Sequence, residues 1–205
     1  DKGRELFGGL ALSIRKGERI GFRGASGAGK TTLFNLLLGL YEPTSGEIAV
    51  DGAALTAANR RAWQNRIGYV SQHLFLSDGS FASNVAPGIP SDEIDRRRVT
   101  EALDAAQLGD FVASLPRGID TPVGECGRRL SGGQRQRIGI ARALYRRADV
   151  LFFDEATSAL DSRTEGEINR SIASIAAQNP GLTLLVIAHR ETSLEYCDRI
   201  ITLGE

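Results

Sequence analysis

Three things are scarce in this sequence: it has no methionine, only two cysteines and no long apolar run. Cys126 and Cys197 lie far apart and fit no metal-binding spacing, so we expect two reduced thiols of a cytosolic protein rather than a disulfide framework. The longest apolar cluster, LFNLLLGLY, is shorter than the about 20 residues that cross a bilayer, which excludes a transmembrane helix in this stretch. Because the chain starts at Asp1 and lacks methionine, we expect it to be a fragment of a longer product.

The sequence also lacks an excess of either charge, because 25 basic residues are matched by 25 acidic ones. Proteins that bind nucleic acid through its phosphates usually carry a basic excess, so we expect no nucleic-acid partner. With 205 residues, of which 41% are hydrophobic and 24% charged, the chain fits a single soluble domain of ordinary globular composition.

Strand-like and helix-like patterns alternate along the chain, which predicts an α/β fold with a mostly parallel sheet and an antiparallel β subdomain. The segments with strand character are 10–14, 19–24, 44–52, 66–72, 150–153, 182–189 and 199–203. The first two flank a turn-like RKGE and are predicted to pair with each other. Residues from about 73 to 145 are helical in pattern, so we predict a helical subdomain inserted into a core of residues 1–72 and 146–205.

The segment GASGAGKT matches G-x-x-x-x-G-K-[ST] in full, with a strand before it and a helix after it. Glycines at this spacing let backbone N–H groups wrap around a phosphate, whereas a chance glycine-rich turn would not need that context. We therefore predict a P-loop NTPase core in which Lys30 reaches the β- and γ-phosphates and the Thr31 hydroxyl ligates Mg²⁺. The predicted phosphate-binding residues are Gly24, Ala25, Ser26, Gly27, Ala28, Gly29, Lys30, Thr31 and Thr32.

A second motif, VLFFDE, places two carboxylates after a buried strand, at the edge where α/β sheets bind their ligands. Beside a P-loop, Asp154 is expected to hold Mg²⁺ through water. Glu155 is then free to act as general base on the attacking water. The alternative is that both residues only cap the next helix.

Ser131, Gly132 and Gly133 stand in front of a helix-like run, and two consecutive glycines at a helix start are costly in backbone entropy. Without side chains, these glycines leave the backbone N–H groups of the helix start accessible to a ligand. The unpaired N–H groups and the positive end of the helix dipole then attract an anion. The residues themselves leave open which anion this is.

These residues carry a family resemblance. LSGGQ, residues 130–134, lies between the P-loop and VLFFDE, and the chain resembles the nucleotide-binding domain of an ABC transporter over essentially its whole length. Gln72 matches the family's Q-loop, SALD at 158–161 its D-loop and His189 its switch histidine. TPVGECG at 121–127 is similar to the X-loop of exporter-type domains, although Cys126 stands where arginine is more usual.

The resemblance implies a mechanism as well as a fold. Two such domains pair head to tail and trap two ATP molecules, so that each signature serine and glycine pair faces the γ-phosphate held by the other copy. The implied catalytic residues are Glu155, His189 and Lys30, with His189 contacting the γ-phosphate and orienting Glu155. The implied ATP contacts outside the P-loop are Gln72, Ser131, Gly132, Gly133, Gln134 and Asp161. The implied Mg²⁺ ligands are Thr31, Gln72 and Asp154.

The resemblance also implies partners and missing parts. Every half-site looks complete, so a homodimer is expected, acting with transmembrane domains at the cytoplasmic face of the inner or plasma membrane. An aromatic residue that stacks on adenine is expected well before the P-loop, and Phe7 is too close to Gly24 to fill that role. We therefore expect a fragment that lacks the adenine-stacking segment and the C-terminal helices.

Two other functions are open to such a sequence. One is a non-transport ABC ATPase acting on DNA or ribosomes, which the neutral charge and the short interval between P-loop and signature disfavour. The other is a regulatory cassette that binds ATP without hydrolysing it, which the presence of Glu155 and His189 disfavours. We favour an ATPase domain that drives export or flipping.

Overall fold

A computed structural model of the protein describes residues 6–204, which form strands and helices in alternation. The strands are β1 Arg19–Gly24, β2 Ala49–Val50, β3 Ala53–Ala54, β4 Ile67–Ser71, β5 Val150–Asp154, β6 Thr183–Ile187 and β7 Arg199–Leu203. The helices are α1 Lys30–Leu37, α2 Arg60–Gln64, α3 Phe81–Val85, α4 Arg96–Ala105, α5 Gly109–Ala113, α6 Gly132–Tyr145 and α7 Ser162–Gln178. Short 3₁₀ turns occupy Gly118–Asp120, Glu125–Gly127 and Glu191–Ser193.

The main sheet has the order β4-β5-β6-β1-β7, and every neighbouring pair in it is parallel. Strands covered on both faces read as continuous apolar runs, which is the pattern of β5 and β6. The strands β2 and β3 form a separate antiparallel pair. The predicted fold class, a mostly parallel P-loop NTPase sheet with an antiparallel part and helices, is confirmed.

The predicted strand at residues 10–14 is wrong, because these residues are not in a strand. The two edges of β1 are already occupied by β6 and β7, so no edge is left for a hairpin partner. Leu12 and Ile14 nevertheless pack against buried residues of the core. Their alternation therefore reflects one partly buried face of a segment that has no partner strand.

Among residues 6–204, two apolar cores pack against the main sheet. The smaller one lies between α1 and the sheet, where the ring of Phe34 meets those of Phe22 and Phe152 edge to face, at centroid distances of 5.7 Å and 5.0 Å. The last carbonyls of α1 are bonded by α2, since Trp63 Nε1 donates to the Leu37 oxygen at 2.7 Å. This packing fixes the axis of the helix that follows the P-loop.

The larger core joins the sheet to the helices between residues 81 and 145. Helix α6 is its centre, because it packs on α3, α4 and β4, and its Ile138 and Ile140 are buried. The short helices α3, α4 and α5 all lie within the segment predicted to be helical. The boundaries of an inserted subdomain at 73 and 145 stay a prediction.

Both cysteines are free thiols, and burial raises the pKa of Cys197 to about 12. Within residues 6–204, the helices are too short or too polar for any of them to cross a bilayer.

Replacing the fully buried Phe152 by alanine should lower the free energy of unfolding by about 3–5 kcal/mol, because it leaves a cavity beside Phe34. Phe75→Ala is the matched control, since 76% of that residue is exposed and its loss should change stability by less than about 0.5 kcal/mol. Urea unfolding followed by circular dichroism measures both. Equal losses in the two variants would contradict the core described for this chain.

Candidate functional site

The glycine-rich loop between β1 and α1 depends on positive φ angles, which are 156° at Gly24, 81° at Gly27 and 89° at Gly29. Glycine enters this region without strain. A Cβ atom at Gly24 would lie 2.5 Å from the carbonyl oxygen of Leu203, and one at Gly29 would lie 2.8 Å from the ring of Phe7. The tight, partly exposed loop has a geometry in which successive N–H groups can face a bound anion.

Helix α1 begins without a side-chain cap. Its N-cap is Gly29 and its first turn contains no acidic residue, so the positive end of the helix dipole is uncompensated. Lys30 is only 6% exposed, and its Nζ donates to the carbonyl oxygens of Gly24 at 2.8 Å and Ala25 at 3.1 Å. A cation is therefore held at the loop, with the exposed Thr31 beside it.

Asp154, at the end of β5, connects three segments. Its backbone oxygen accepts a hydrogen bond from the Gln72 N–H at 3.1 Å, and its Oδ2 accepts one from the Tyr69 hydroxyl at 2.9 Å. Burial raises the pKa of Asp154, and the nearby Glu155 adds to this rise. The bond from Tyr69 and the charge of Lys30 act in the opposite direction without cancelling it.

Glu155 follows directly and has a φ of 50°, an uncommon value for a residue with a side chain. Its backbone is fixed by three hydrogen bonds: its N–H donates to the Ile187 oxygen at 3.0 Å, and its oxygen accepts from the N–H and Oγ of Ser158. His189 Nε2 lies 2.7 Å from Glu155 Oε1. The structure thus brings the predicted base and the predicted switch histidine into direct contact.

Ser131 and Gln134 close the start of α6 with a reciprocal cap. The Ser131 Oγ accepts from the Gln134 N–H at 3.2 Å, and the Gln134 Oε1 accepts from the Ser131 N–H at 2.8 Å. A Cβ at Gly132 would lie 2.8 Å from a Leu160 methyl carbon, and one at Gly133 would lie 2.5 Å from the Thr164 methyl carbon. A Cβ at either position would displace a neighbouring side chain, so packing inside this chain favours both glycines, in addition to the phosphate access that the sequence predicts.

Gln136 is a residue that sequence reasoning missed. It is 6% exposed, and its Nε2 donates to the backbone oxygens of Ser71 at 3.2 Å and Gln72 at 2.8 Å. Helix α6, which carries the signature segment at its start, is thereby bonded to the end of β4. No sequence pattern marks this contact, because its partners lie 65 and 64 residues earlier in the chain.

Asp161 caps helix α7. Its Oδ1 accepts from the backbone N–H of Arg163 and of Thr164, and its Oδ2 accepts from the Thr164 hydroxyl at 2.7 Å. These bonds with Thr164, together with the one from Arg163, hold the pKa of Asp161 below its ordinary value. The predicted contact of Asp161 with ATP stays a prediction.

The predicted site residues fall into two groups. The strands β1, β4, β5 and β6 are parallel, so the P-loop, Gln72, Asp154, Glu155 and His189 all follow strands at the same edge of the sheet. The signature residues 131–133 instead pack beside Leu160 and Thr164, around the start of α7. That the two groups meet across a dimer to form one ATP site stays a prediction.

The first group fits a nucleotide triphosphate with Mg²⁺. The positive-φ glycines, the uncapped helix start and Lys30 suit a polyphosphate. The Thr31 hydroxyl, the Gln72 amide and the Asp154 carboxylate offer the oxygen ligands that Mg²⁺ prefers. Residues 6–204 contain no cluster of three or more His, Cys, Asp or Glu side chains able to hold a metal alone. Mg²⁺ bound here would therefore share its coordination with phosphate oxygens.

Comparison with known proteins places this geometry in context. Residues 7–158 match the family described as ABC transporter. A bacterial Atm1-family ABC exporter, whose structure was solved with ATP bound, superposes with a TM-score of 0.86 at 38% sequence identity. That similarity covers 100% of this chain and 35% of the exporter chain.

Curated relatives are similar over nearly all of this chain. An ATP-dependent lipid A-core flippase of Ralstonia nicotianae is 47% identical over 202 residues, which is 98% of this chain and 34% of the flippase. A flippase of the same description from Polaromonas sp. is 48% identical over 194 residues, covering 95% of this chain and 32% of that protein. The chain thus spans about a third of the length of these relatives.

Asp154→Asn should raise the free energy of unfolding at pH 7 in metal-free buffer, because the ionised carboxylate is destabilised by burial. The folded-state pKa lies above the unfolded one, so the wild-type penalty is full above the folded pKa and vanishes below the unfolded value of about 3.9. The gain should therefore shrink as the pH falls towards 4.

Urea unfolding at a series of pH values measures this difference, with the exposed Asp92→Asn as a control that should show little change. A variant less stable than the wild type at pH 7, or a gain that grows on acidification, would contradict the assigned electrostatics.

Proposed function

The chain belongs to the ABC transporter family, and we propose that it is the ATPase domain that powers export or flipping of a substrate through ATP-driven dimerisation. The observation that carries this proposal is the contact of Glu155 with His189. It accompanies a P-loop in which the Lys30 ammonium group is hydrogen-bonded to a carbonyl oxygen of the loop. A binding-only cassette would not need a carboxylate held at this turn.

In this mechanism the P-loop and Lys30 bind the phosphates of ATP. Lys30 exchanges its two carbonyl partners for phosphate oxygens, and the start of α1 adds its N–H groups and dipole. Thr31, Gln72 and Asp154 would hold Mg²⁺, which neutralises charge on the β- and γ-phosphates when bound.

Glu155 accepts the proton of the attacking water, and His189 holds the carboxylate in place while it does so. The strained backbone of Glu155, fixed by Ser158 and Ile187, limits how far the carboxylate can move. This arrangement supports hydrolysis because the candidate base is positioned before the substrate arrives.

Closure of the site needs a second copy. The signature segment at the start of α6 lies in a different group from the P-loop, so one chain provides only half of the contacts to a γ-phosphate. We propose a head-to-tail homodimer in which each signature segment faces the other copy's P-loop, and in which Asp161 lies close to the second site. Hydrolysis would then reopen the dimer.

The length of the relatives indicates which domains act with this one. Because those relatives are about three times as long as this chain, we propose that transmembrane domains act with it at the cytoplasmic face of the membrane. The flippase relatives support a lipid A-type glycolipid as the substrate. No observation favours a role on DNA or ribosomes, and the interval between α1 and α6 contains short packed helices rather than a long coiled coil.

Glu155→Gln should abolish steady-state ATP hydrolysis and accumulate an ATP-bound dimer, because the amide keeps the shape of the side chain but cannot take a proton. Phosphate release measures hydrolysis, and light scattering with ATP and Mg²⁺ measures the dimer. Glu93→Gln, an exposed residue before α4, is the matched control and should leave both unchanged. Hydrolysis at the wild-type rate in Glu155→Gln would remove the base assignment.

The substrate proposal predicts that the full-length transporter, reconstituted in vesicles, hydrolyses ATP several-fold faster when the vesicles contain lipid A. Vesicles of phosphatidylethanolamine and phosphatidylglycerol alone are the control. Stimulation by an added peptide, with none by lipid A, would replace the lipid assignment by peptide export.

A further inference from the structure

Tyr69 makes a contact to the hydrolytic site that the mechanism above does not use. Its hydroxyl donates a hydrogen bond to Asp154 Oδ2 at 2.9 Å, although the two residues are 85 positions apart in the chain. The bond crosses from β4 to β5, two strands that pair in parallel. A tyrosine hydroxyl bonded to a half-buried carboxylate at a strand end has a specific geometry that packing alone would not require.

The register of the two strands explains the contact. Tyr69 is opposite Phe152, and Ser71 is opposite Asp154. Side chains alternate between the faces of a sheet, so residues 69 and 71 share one face, which is also the face of residues 152 and 154. The long side chain of Tyr69 spans the two-residue offset along this face and reaches the carboxylate.

The chemical effect of the bond is to make the two oxygens of Asp154 unequal. The side-chain torsion next to a carboxylate is broad and roughly two-fold, so an unbonded aspartate samples several orientations. A donor on Oδ2 selects one orientation and leaves the other oxygen for a further partner. Carboxylates that ligate metals are commonly held by hydrogen bonds of this kind.

The Tyr69 hydroxyl donates to a carboxylate oxygen. A hydrogen bond to a charged acceptor is stronger than one between neutral groups. Tyr69 is 42% exposed and lines a surface groove together with Leu38, at the end of α1, and Arg142 of α6.

We propose that Tyr69 is a positioning residue that fixes the Asp154 carboxylate in the orientation needed to hold Mg²⁺, a proposal that rests on the ATPase function proposed above. Tyr69 does not touch the reacting atoms. It acts on the affinity of the metal site through Asp154, and it connects that site to the same strand that leads into Gln72.

The test is the Tyr69→Phe variant, which keeps the ring and removes only the hydroxyl. Mn²⁺ replaces Mg²⁺ as the probe, and its binding to the protein loaded with the non-hydrolysable analogue AMP-PNP is measured by electron paramagnetic resonance. We expect Mn²⁺ to bind about tenfold more weakly, within the range found when outer partners of metal ligands are removed. In turnover, the Mg²⁺ concentration for half-maximal rate should rise, while kcat at saturating Mg²⁺ recovers.

Tyr41→Phe is the matched control, because Tyr41 is 54% exposed and lies outside the site, so it should bind Mn²⁺ as the wild type does. Urea unfolding in the absence of metal checks that Tyr69→Phe is folded. A folded Tyr69→Phe protein with wild-type Mn²⁺ affinity would overturn the positioning proposal while ATP hydrolysis by the wild type still supports the ATPase function. A wild-type protein that neither binds Mn²⁺ with AMP-PNP nor hydrolyses ATP would overturn both.

Discussion

The end of strand β5 is the constraint on which the rest of the site depends. Asp154 bonds the start of the Q-loop through its backbone and Tyr69 through its carboxylate, and Glu155 turns the chain sharply to meet His189. These contacts require β5 to lie between β4 and β6, in register with both. The parallel sheet therefore does more than support the site, because its register sets which side chains can meet at its edge.

Helix α6 connects the signature segment to the residues at the edge of the sheet. Its first turn carries the signature glycines, and those glycines pack on Leu160 and Thr164 at the entry to α7. One turn further on, Gln136 bonds the backbone of Gln72. If Gln72 moves when a phosphate or metal binds, its hydrogen bond with Gln136 would move α6 as well. The start of α6 would then shift at the surface that a second copy is proposed to contact.

The sequence predicts the local parts of this arrangement well. The P-loop, the carboxylates at the end of β5 and the alternation that produces a parallel sheet are all short-range signals. The parallel sheet is confirmed, and a tight glycine-rich turn follows β1 as the P-loop motif requires. Local sequence cannot show that residues 10–14 do not form a strand. Such a strand would need a free edge of β1, and both edges are taken by β6 and β7, which lie far along the chain. Tyr69 and Gln136 could not be predicted for a related reason, because their partners lie 85, 65 and 64 residues away in the chain. The register of β4 and β5 brings Tyr69 to Asp154, and the packing of α6 on β4 brings Gln136 to its partners.

In the proposed mechanism, ATP is held between the P-loop of one copy and the signature segment of another. A structure of the protein determined with AMP-PNP and Mg²⁺ is the sharpest test of this arrangement. We expect a two-fold assembly with the γ-phosphate between Lys30 of one copy and Ser131 and Gly133 of the other, and with the metal beside Asp154. A nucleotide bound to a single copy, with the start of α6 turned away from any phosphate, would contradict it.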